Sequence, residues 1–242
     1  MKFGVKTFDN PSFLKHFESK ADFFEIMAVE KNNYGFLNEF KSKPMVIHSQ
    51  HINFGINIAD PALHQKNLSS IKFAQALADQ TKAKYIILHP GDITNPSCAL
   101  QTAIDFVRSL KDKRIIIENM PADKHTIGIT PKDMSGFLKA TKSDFCFDIN
   151  HAISAALSLN KDPYEFIKEF IKLKPSHYHL GGQKILPNNK DITHLSFKDS
   201  NIDLDKILSL IPSNAEITLE TSIDINNTDY DLKTVKELTL SA

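Results

Sequence analysis

Six apolar segments of this chain end on a residue type that can bind a metal ion. The residues in these positions are His48, His89, Glu118, Asp148, His179 and Glu220. Short apolar runs of this kind are typical of buried β-strands, and in a parallel barrel the carboxyl ends of all strands lie on one face. Residues far apart in the sequence would then meet at one mouth. The pattern therefore predicts both a fold and a metal-dependent chemistry.

Three carboxylates and one imidazole end the last four of these segments. They are Glu118, Asp148, His179 and Glu220. A set of oxygen ligands with one nitrogen suits Mn²⁺, Mg²⁺ or Zn²⁺ and leaves positions for substrate oxygens. Carboxylates that converge without a cation would repel one another and raise one another's pKa. A single strand-end carboxylate is often only a cap or an ion-pair partner, but this set favours a divalent-metal site.

Further histidines lie close to the predicted strand ends. His51 follows the third strand, His151 lies three residues after Asp148, and His194 follows the seventh strand. Alone, each of them would more often be a hydrogen-bonded loop or core residue. Because neutral imidazoles are good zinc ligands, their placement together with His48 and His89 indicates more than one metal ion.

Eight strands are predicted from hydrophobic periodicity, near residues 2–6, 23–28, 44–48, 84–89, 113–118, 144–148, 176–180 and 215–220. Most of them are continuous apolar runs, as expected of parallel strands that are buried on both faces. A capping residue followed by proline predicts helix starts at Asn95-Pro96, Thr130-Pro131 and Asp162-Pro163, and the longest helical pattern covers residues 62–81. The alternation predicts one α/β domain over residues 1–242, a (β/α)8 TIM barrel with a metal site at its C-terminal mouth, rather than a doubly wound sheet.

The composition weakens a nucleic-acid hypothesis and a membrane hypothesis. Basic and acidic residues balance at 29 each, and only Arg108 and Arg114 are arginines. Recognition of phosphates and bases favours arginine and a basic excess. No apolar run approaches the roughly 20 residues that span a bilayer, and the first residues lack the apolar stretch of a signal peptide. With Cys98 and Cys146 in no metal or redox spacing, we expect a cytoplasmic protein.

Taken in order, the motifs resemble the superfamily that joins endonuclease IV to the xylose isomerase-like sugar isomerases and epimerases. The matching segments are His48 or His51, His89-Pro90-Gly91, Glu118-Asn119, Asp148-Ile149-Asn150-His151, His179, Asp191 with His194, and Leu219-Glu220-Thr221. The resemblance makes all of these histidines and carboxylates candidate ligands for Zn or Mn, with two or three ions. It leaves open whether His48 or His51 is the ligand after the third strand. Asp191 lies three positions before His194, where the family has two.

One function that the resemblance implies is an isomerase or epimerase of a sugar or sugar phosphate. Glu118 and Glu220 would then be metal ligands that also act as the acid/base pair. Asn119 and His151 would orient substrate hydroxyls. Lys184 would receive a phosphate or act as an extra acid, although it also fits a solvated loop lysine.

The alternative function is that of an endonuclease IV-like zinc phosphodiesterase acting at abasic sites in DNA. In this case the zinc ions would supply hydroxide and hold the phosphate. The number of histidines favours this chemistry, whereas the balanced charge and the two arginines disfavour a DNA partner. A third, non-enzymatic interpretation as a metal-stabilised binding module requires an incomplete site, and none of the expected ligands is missing.

Overall fold

The structure is a computed structural model that describes residues 1–122 and 125–240. In this part of the chain the strands are β1 (Lys2–Thr7), β2 (Phe23–Ala28), β3 (Met45–Ser49), β4 (Ile86–Leu88), β5 (Ile115–Glu118), β6 (Asp144–Asp148), β7 (His177–Leu180), β8 (Gly182–Ile185), β9 (Asp191–Leu195) and β10 (Glu216–Leu219). The helices are α1 (Pro11–Phe17), α2 (His64–Thr81), α3 (Leu100–Leu110), α4 (Pro131–Thr141), α5 (Ile149–Ser158), α6 (Pro163–Ile171), α7 (Leu204–Leu210) and α8 (Ile225–Leu240). Short 3₁₀ helices cover Gly35–Phe40, Ile52–Phe54, Pro61–Leu63 and Phe197–Asp199.

Eight parallel strands close into a barrel in the order β1, β10, β7, β6, β5, β4, β3, β2. Because all of these strands run in the same direction, their carboxyl ends lie together at one end of the barrel. The register places Asp148 opposite His179 and Met27 opposite His48. The predicted (β/α)8 TIM barrel and its eight strands are therefore confirmed.

The core fills the layer between the barrel and its surrounding helices. Strands β4 and β5 are buried on both faces, which explains their uninterrupted isoleucine runs. On the helix side, Phe147 of β6 stacks on Phe170 of α6 with ring centroids 5.1 Å apart. No helix in the described residues combines the length and apolar character needed to cross a membrane.

Two of the three predicted helix starts are confirmed. Thr130 forms a capping box at the start of α4, and the Asp162 side chain accepts a hydrogen bond from Glu165 N at the start of α6. The start at Asn95-Pro96 is wrong, because α3 begins at Leu100. The Asn95 side chain instead accepts a hydrogen bond from Ser97 N at 2.9 Å, which forms a turn. Turns and helix caps use the same residue types, so the dipeptide did not distinguish them.

The longest predicted helix is confirmed as α2, which begins two residues later than the pattern and is preceded by a 3₁₀ turn. Asp60 caps this turn by accepting a hydrogen bond from Ala62 N at 2.9 Å. Proline at the first position of the turn needs no hydrogen-bond partner for its missing N–H. The 3₁₀ turn therefore leads directly into α2.

An antiparallel hairpin of β8 and β9 follows β7 and was not predicted from the sequence. Lys184, expected in a loop, lies on β8, and His194 lies on β9. The two strands are short and only partly buried, and polar residues interrupt them, so they lack the apolar runs that identified the barrel strands. Close packing explains Gly182 at the start of the hairpin, because a Cβ there would lie 2.5 Å from Leu195 O.

Candidate metal centre

The candidate site is the second layer of side chains inside the barrel. The first layer is apolar and consists of Phe23, Val46, Ile87, Ile116 and Cys146. Because side chains alternate between the two faces of a strand, the residues two positions further along also face the interior. These residues are Glu25, His48, His89, Glu118 and Asp148, and on β7 the corresponding pair is His177 and His179. A polar layer therefore covers the apolar one at the C-terminal end of the barrel.

Four of the predicted ligands form one compact group. The ligand atoms of Glu118, Asp148, His179 and Glu220 all lie within 4.8 Å of one another. His179 Nδ1 is 2.8 Å from Glu220 Oε2, 3.5 Å from Glu118 Oε1 and 3.9 Å from Asp148 Oδ2. Three of these buried atoms, Asp148 Oδ2, His179 Nδ1 and Glu220 Oε2, make no hydrogen bond of acceptable geometry within the described part of the chain, although the last two are close to each other. Buried polar atoms without partners are costly, and this donor set fits a divalent cation.

The charges in this group are balanced by protons when no cation is present. Burial and repulsion from Glu118 and Glu220 raise the pKa of Asp148, against the attraction of His151. Burial would also raise the pKa of Glu118, but the charges of His89 and His179 outweigh it and hold this pKa well below its ordinary value. Burial would lower the pKa of His179, but the surrounding acidic groups outweigh it and raise this pKa well above its usual range. A divalent ion would replace these protons.

A second group lies on the other side of Glu118. His48 Nε2 and His89 Nε2 are each 3.1 Å from Glu118 Oε2. His48 Nδ1–H donates to Ser49 O at 2.8 Å, and burial, followed by the charge of Lys6, lowers the pKa of His48. The neutral ring therefore directs the lone pair of Nε2 at a carboxylate oxygen. Two lone-pair atoms in this arrangement repel each other unless a cation lies between them. His48 and Glu118 form a group of mutually close ligand atoms with His179 that could hold a metal ion, whereas His89 belongs to no such group among the described residues.

His151 lies beside the first group with one ring nitrogen already bonded. Its Nδ1–H donates to Asn119 O at 2.8 Å, although the same atom is 3.3 Å from Glu118 Oε1. This hydrogen bond leaves Nε2 for a ligand or a substrate. The structure places His151 in the lining of the cavity above the cluster.

The remaining predicted ligands lie at the edge of the cluster or outside it. The ring of His51 stacks on that of His89 with centroids 4.7 Å apart, and His194 Nδ1 hydrogen-bonds Glu220 O at 3.1 Å. The carboxylate of Asp191 accepts hydrogen bonds from Ser154 Oγ and Gln183 Nε2. Among the described residues, none of the three belongs to a group of mutually close ligand atoms.

Two predicted substrate-binding residues have other surroundings than expected. Asn119 is fully buried; its Nδ2 donates to Asp148 O at 2.8 Å and its Oδ1 accepts from Asp148 N at 2.7 Å. It therefore ties β5 to β6 and holds Asp148, rather than facing a substrate. Lys184 is exposed on β8 and is not among the described residues that line the mouth.

A cavity of about 480 Å³ opens above the cluster. Polar groups from Glu118, Glu220, His89 and His151 line its floor, and apolar side chains form much of its wall. These wall residues are Phe8, Met27, Ile52, Phe54, Met120, Pro121 and Ile223. The arrangement combines a floor of candidate metal ligands with a partly apolar wall, as is common in sites for small ligands.

Lys6 of β1 is a site residue that was not predicted from the sequence. Its ammonium lies 2.7 Å from Glu220 Oε1 and 3.2 Å from Glu25 Oε1, and the side chain lines the cavity. Burial would lower the pKa of Lys6, but the attraction of Glu220 and Glu25 outweighs it and raises this pKa. A lysine two positions after Gly4, within a predicted buried strand, is the sequence signal that could have identified it.

Comparison with known proteins gives a family match over most of the chain. A family model described as a xylose isomerase-like TIM barrel matches residues 35–237. Among curated proteins, the chain is 27% identical over 198 residues to a probable endonuclease 4 from Mycoplasmopsis agalactiae. The alignment covers 74% of this chain and 67% of that protein.

Solved structures resemble the chain over nearly its whole length. Endonuclease IV from Thermus thermophilus superposes with a TM-score of 0.79 at 15% identity and covers 100% of both chains. A D-tagatose 3-epimerase-like protein superposes with a TM-score of 0.74 at 20% identity and covers 98% of this chain and 97% of its own. At these identities the likeness shows the fold, which is shared by proteins of both names.

Proposed function

We propose that this chain, which belongs to the xylose isomerase-like TIM barrel family, is a divalent-metal-dependent isomerase or epimerase of a sugar or sugar phosphate. The observation that carries the proposal is the group of Glu118, Asp148, His179 and Glu220, with its unpartnered buried atoms, at the floor of a small cavity. Zinc or manganese fits this donor set. When bound, such an ion is a Lewis acid that stabilises negative charge on substrate oxygens.

Glu118 and Glu220 are the proposed acid/base pair. Both line the cavity, and their strands β5 and β10 are three positions apart around the eight-stranded barrel, so they approach a ligand from different sides. Lys6 donates to Glu220 Oε1. Burial would raise the pKa of Glu220, but the charges of Lys6 and His179 outweigh it and hold this pKa well below its ordinary value. Glu220 therefore stays ionised, as a base that removes a proton next to a carbonyl must be.

The other polar residues of the floor would orient the substrate. His151, whose Nδ1–H is held by Asn119 O, presents Nε2 for a hydrogen bond with a substrate hydroxyl. The apolar wall, including Phe8 and Phe54, suits the C–H faces of a sugar ring or chain. A cavity of about 480 Å³ accommodates a monosaccharide and limits access of a folded macromolecule to the floor.

The proposal is tested by metal content and by proton exchange. We would measure the metals in protein purified without added metal or chelator, with Glu118→Gln as the control. The loaded protein would then be incubated with ketoses, aldoses and their phosphates in D₂O, and deuterium at the carbon next to the carbonyl would be detected by NMR. We expect incorporation with the wild type and none with Glu118→Gln. A metal-loaded wild type that exchanges no proton with any of these sugars would contradict the isomerase proposal.

The second candidate is an endonuclease IV-like zinc phosphodiesterase that acts at abasic sites in DNA. The observation in its favour is the second group, in which His48 and His89 face Glu118 Oε2, because two metal positions that share a carboxylate suit phosphodiester hydrolysis. Incubation of the zinc-loaded protein with a duplex containing one abasic site would test it, with His89→Asn as the control. Strand cleavage that depends on His89, together with two or more zinc ions per chain, would favour this function over the isomerase.

A further inference from the structure

A fully buried carboxylate, Glu25 of β2, lies beneath the candidate metal centre and is not part of its group of four ligands. We propose that Glu25 is a positioning residue, which fixes the ring of His179 so that Nδ1 faces the metal. The proposal rests on the proposed metal centre but not on the reaction catalysed there. It assigns a role to a charged residue that the mechanism leaves unused.

The hydrogen bond between the two residues defines the tautomer of His179. Glu25 Oε2 lies 2.9 Å from His179 Nε2. The Lys6 ammonium lies 3.2 Å from Oε1 and the Thr218 hydroxyl donates to Oε2, so the Glu25 carboxylate is an acceptor on both oxygens. Nε2 therefore carries the proton of this hydrogen bond. The other ring nitrogen, Nδ1, is left to face Glu118, Asp148 and Glu220.

Lys6 and Thr218 hold the Glu25 carboxylate in place. Lys6 Nζ lies 3.2 Å from Oε1, and Thr218 Oγ1 donates to Oε2 at 2.7 Å. Thr218 Oγ1 is in turn 2.8 Å from His177 Nε2. Each oxygen of Glu25 thus has at least one fixed neighbour, and His179 Nε2 has one well-defined acceptor. A carboxylate held in this way restricts both the position and the rotation of the imidazole.

Because Glu25 is buried, a contribution to stability alone is a poor explanation for this charged residue. Glu25 and His179 are both fully buried, and Glu25 interrupts a strand whose other residues, Phe23, Phe24, Ile26 and Met27, are apolar. Replacing a buried ion pair by apolar residues of similar volume often leaves a protein equally stable or more stable. A carboxylate that orients a metal-binding histidine, in contrast, commonly contributes about 10-fold to 100-fold in metal affinity.

The test compares metal affinity with metal-free stability in three variants. Glu25→Gln removes the charge but keeps the shape, and Glu25→Asp keeps the charge but shortens its reach to His179. Thr81→Val is the matched control, since it also removes a buried hydroxyl, whose hydrogen bond to Leu77 O at 2.8 Å lies within α2 and outside the metal centre. Zinc affinity would be measured by competition with a chromophoric chelator, and the free energy of unfolding would be measured in the presence of EDTA.

We expect both Glu25 variants to bind zinc about 10-fold to 100-fold more weakly than the wild type. Thr81→Val should keep the wild-type affinity even if it is less stable. Wild-type affinity in both Glu25 variants would overturn the proposal, and so would weak binding by Glu25→Gln alone, because charge rather than position would then be responsible. If the wild type itself binds no zinc or manganese, the proposed metal centre is overturned together with the role of Glu25.

Discussion

Glu118 is the residue at which the two candidate metal groups meet. Its Oε2 faces His48 and His89, whereas its Oε1 faces His151 and His179. A carboxylate with different neighbours on its two oxygens can bridge two cations. Substitution of Glu118 therefore removes a ligand from both groups, whereas substitution of His48 affects one of them. This difference allows the two groups to be separated by mutation.

The ambiguity between His48 and His51 leads to a specific prediction. His48 directs Nε2 at Glu118, whereas His51 stacks on His89 at the wall of the cavity. We expect His48→Asn to lose one bound metal ion per chain and His51→Asn to keep the wild-type number. Elemental analysis of both variants, purified in parallel, measures this. Loss of an ion in His51→Asn and none in His48→Asn would reverse the assignment.

The main ligands could be predicted from the sequence because each of them ends an apolar run. Their partners could not be identified in this way. Glu25 and Lys6 lie within strands, where side chains alternate between the barrel interior and the surrounding helices. Which of the two faces a given residue takes can be assigned reliably only once the register with the neighbouring strands is known. The place of Asn119 was also not predictable, because its bonds to the Asp148 backbone arise from the pairing of two strands.

At the scale of elements, the end of β7 is packed directly against the end of β10. A Cβ atom on Gly181 would clash with Glu220 O, and Gly181 N donates to Asn150 Oδ1 at 2.6 Å. The glycine therefore lets the segment after β7 pass close to the backbone of a proposed ligand. The (β/α)8 alternation was predictable from periodicity, but close approaches of this kind depend on contacts between elements.

Gly181→Ala should therefore disturb the position of Glu220. We expect a loss of about 1–3 kcal/mol in the free energy of unfolding, as for other overpacked sites, together with weaker metal binding. Gly136→Ala is the control, because a Cβ at this position of α4 meets nothing within 4 Å. It should stabilise the helix by roughly 0.5–1 kcal/mol. Denaturant titration and chelator competition measure both variants, and unchanged metal affinity in Gly181→Ala would contradict the prediction.

The turn between α3 and β5 should give a pH-dependent contribution to stability. Hydrogen bonds from Arg114, with burial opposing them, lower the pKa of Asp112 to about 2. Since this value lies below the roughly 3.9 of an unfolded aspartate, the contribution is present above about pH 4 and is lost as the pH falls towards 2. Asp112→Asn should therefore lower the unfolding midpoint in urea at pH 7 and make a progressively smaller difference between pH 4 and pH 2.

A neighbouring carboxylate provides the control for this prediction. Asp79 also contacts Arg114, at 2.7 Å, but its side chain is 70% exposed. Exposed ion pairs contribute little because water and salt screen them. Asp79→Asn should hence change the urea midpoint less than Asp112→Asn at pH 7. Equal effects of the two substitutions would indicate that the pair with Asp112 is screened as well.

At the scale of the whole molecule, the barrel places the carboxylates of Glu118, Asp148 and Glu220 close together at one end. Without a cation Asp148 is the least favourable of the three, because burial and repulsion from Glu118 and Glu220 raise its pKa. We expect Asp148→Asn to unfold at a higher temperature than the wild type in EDTA. The substitution should preserve the start of α5, because Asp148 Oδ1 accepts from His151 N at 2.7 Å and asparagine can cap a helix in the same way.

Metal should stabilise the wild type but not Asp148→Asn. At a free metal concentration about 100 times the dissociation constant, the wild type gains about 2.7 kcal/mol, or roughly 5–10 °C for a domain of this size. The unfolding temperature of Asp148→Asn should not change when the same metal is added. Calorimetry in EDTA and in zinc or manganese measures both proteins, and an equal shift in the two would contradict a role of Asp148 in metal binding.

The closure of the barrel between β1 and β10 also has a consequence for biosynthesis. The ribosome makes His48, His89, Glu118, Asp148 and His179 before it makes Glu220. Until β10 has emerged, β1 and β7 each lack a neighbour, and their unpaired edges are open to chaperones or to other nascent chains. The proposed metal centre is therefore complete only after β10 has been made and has paired with β1 and β7.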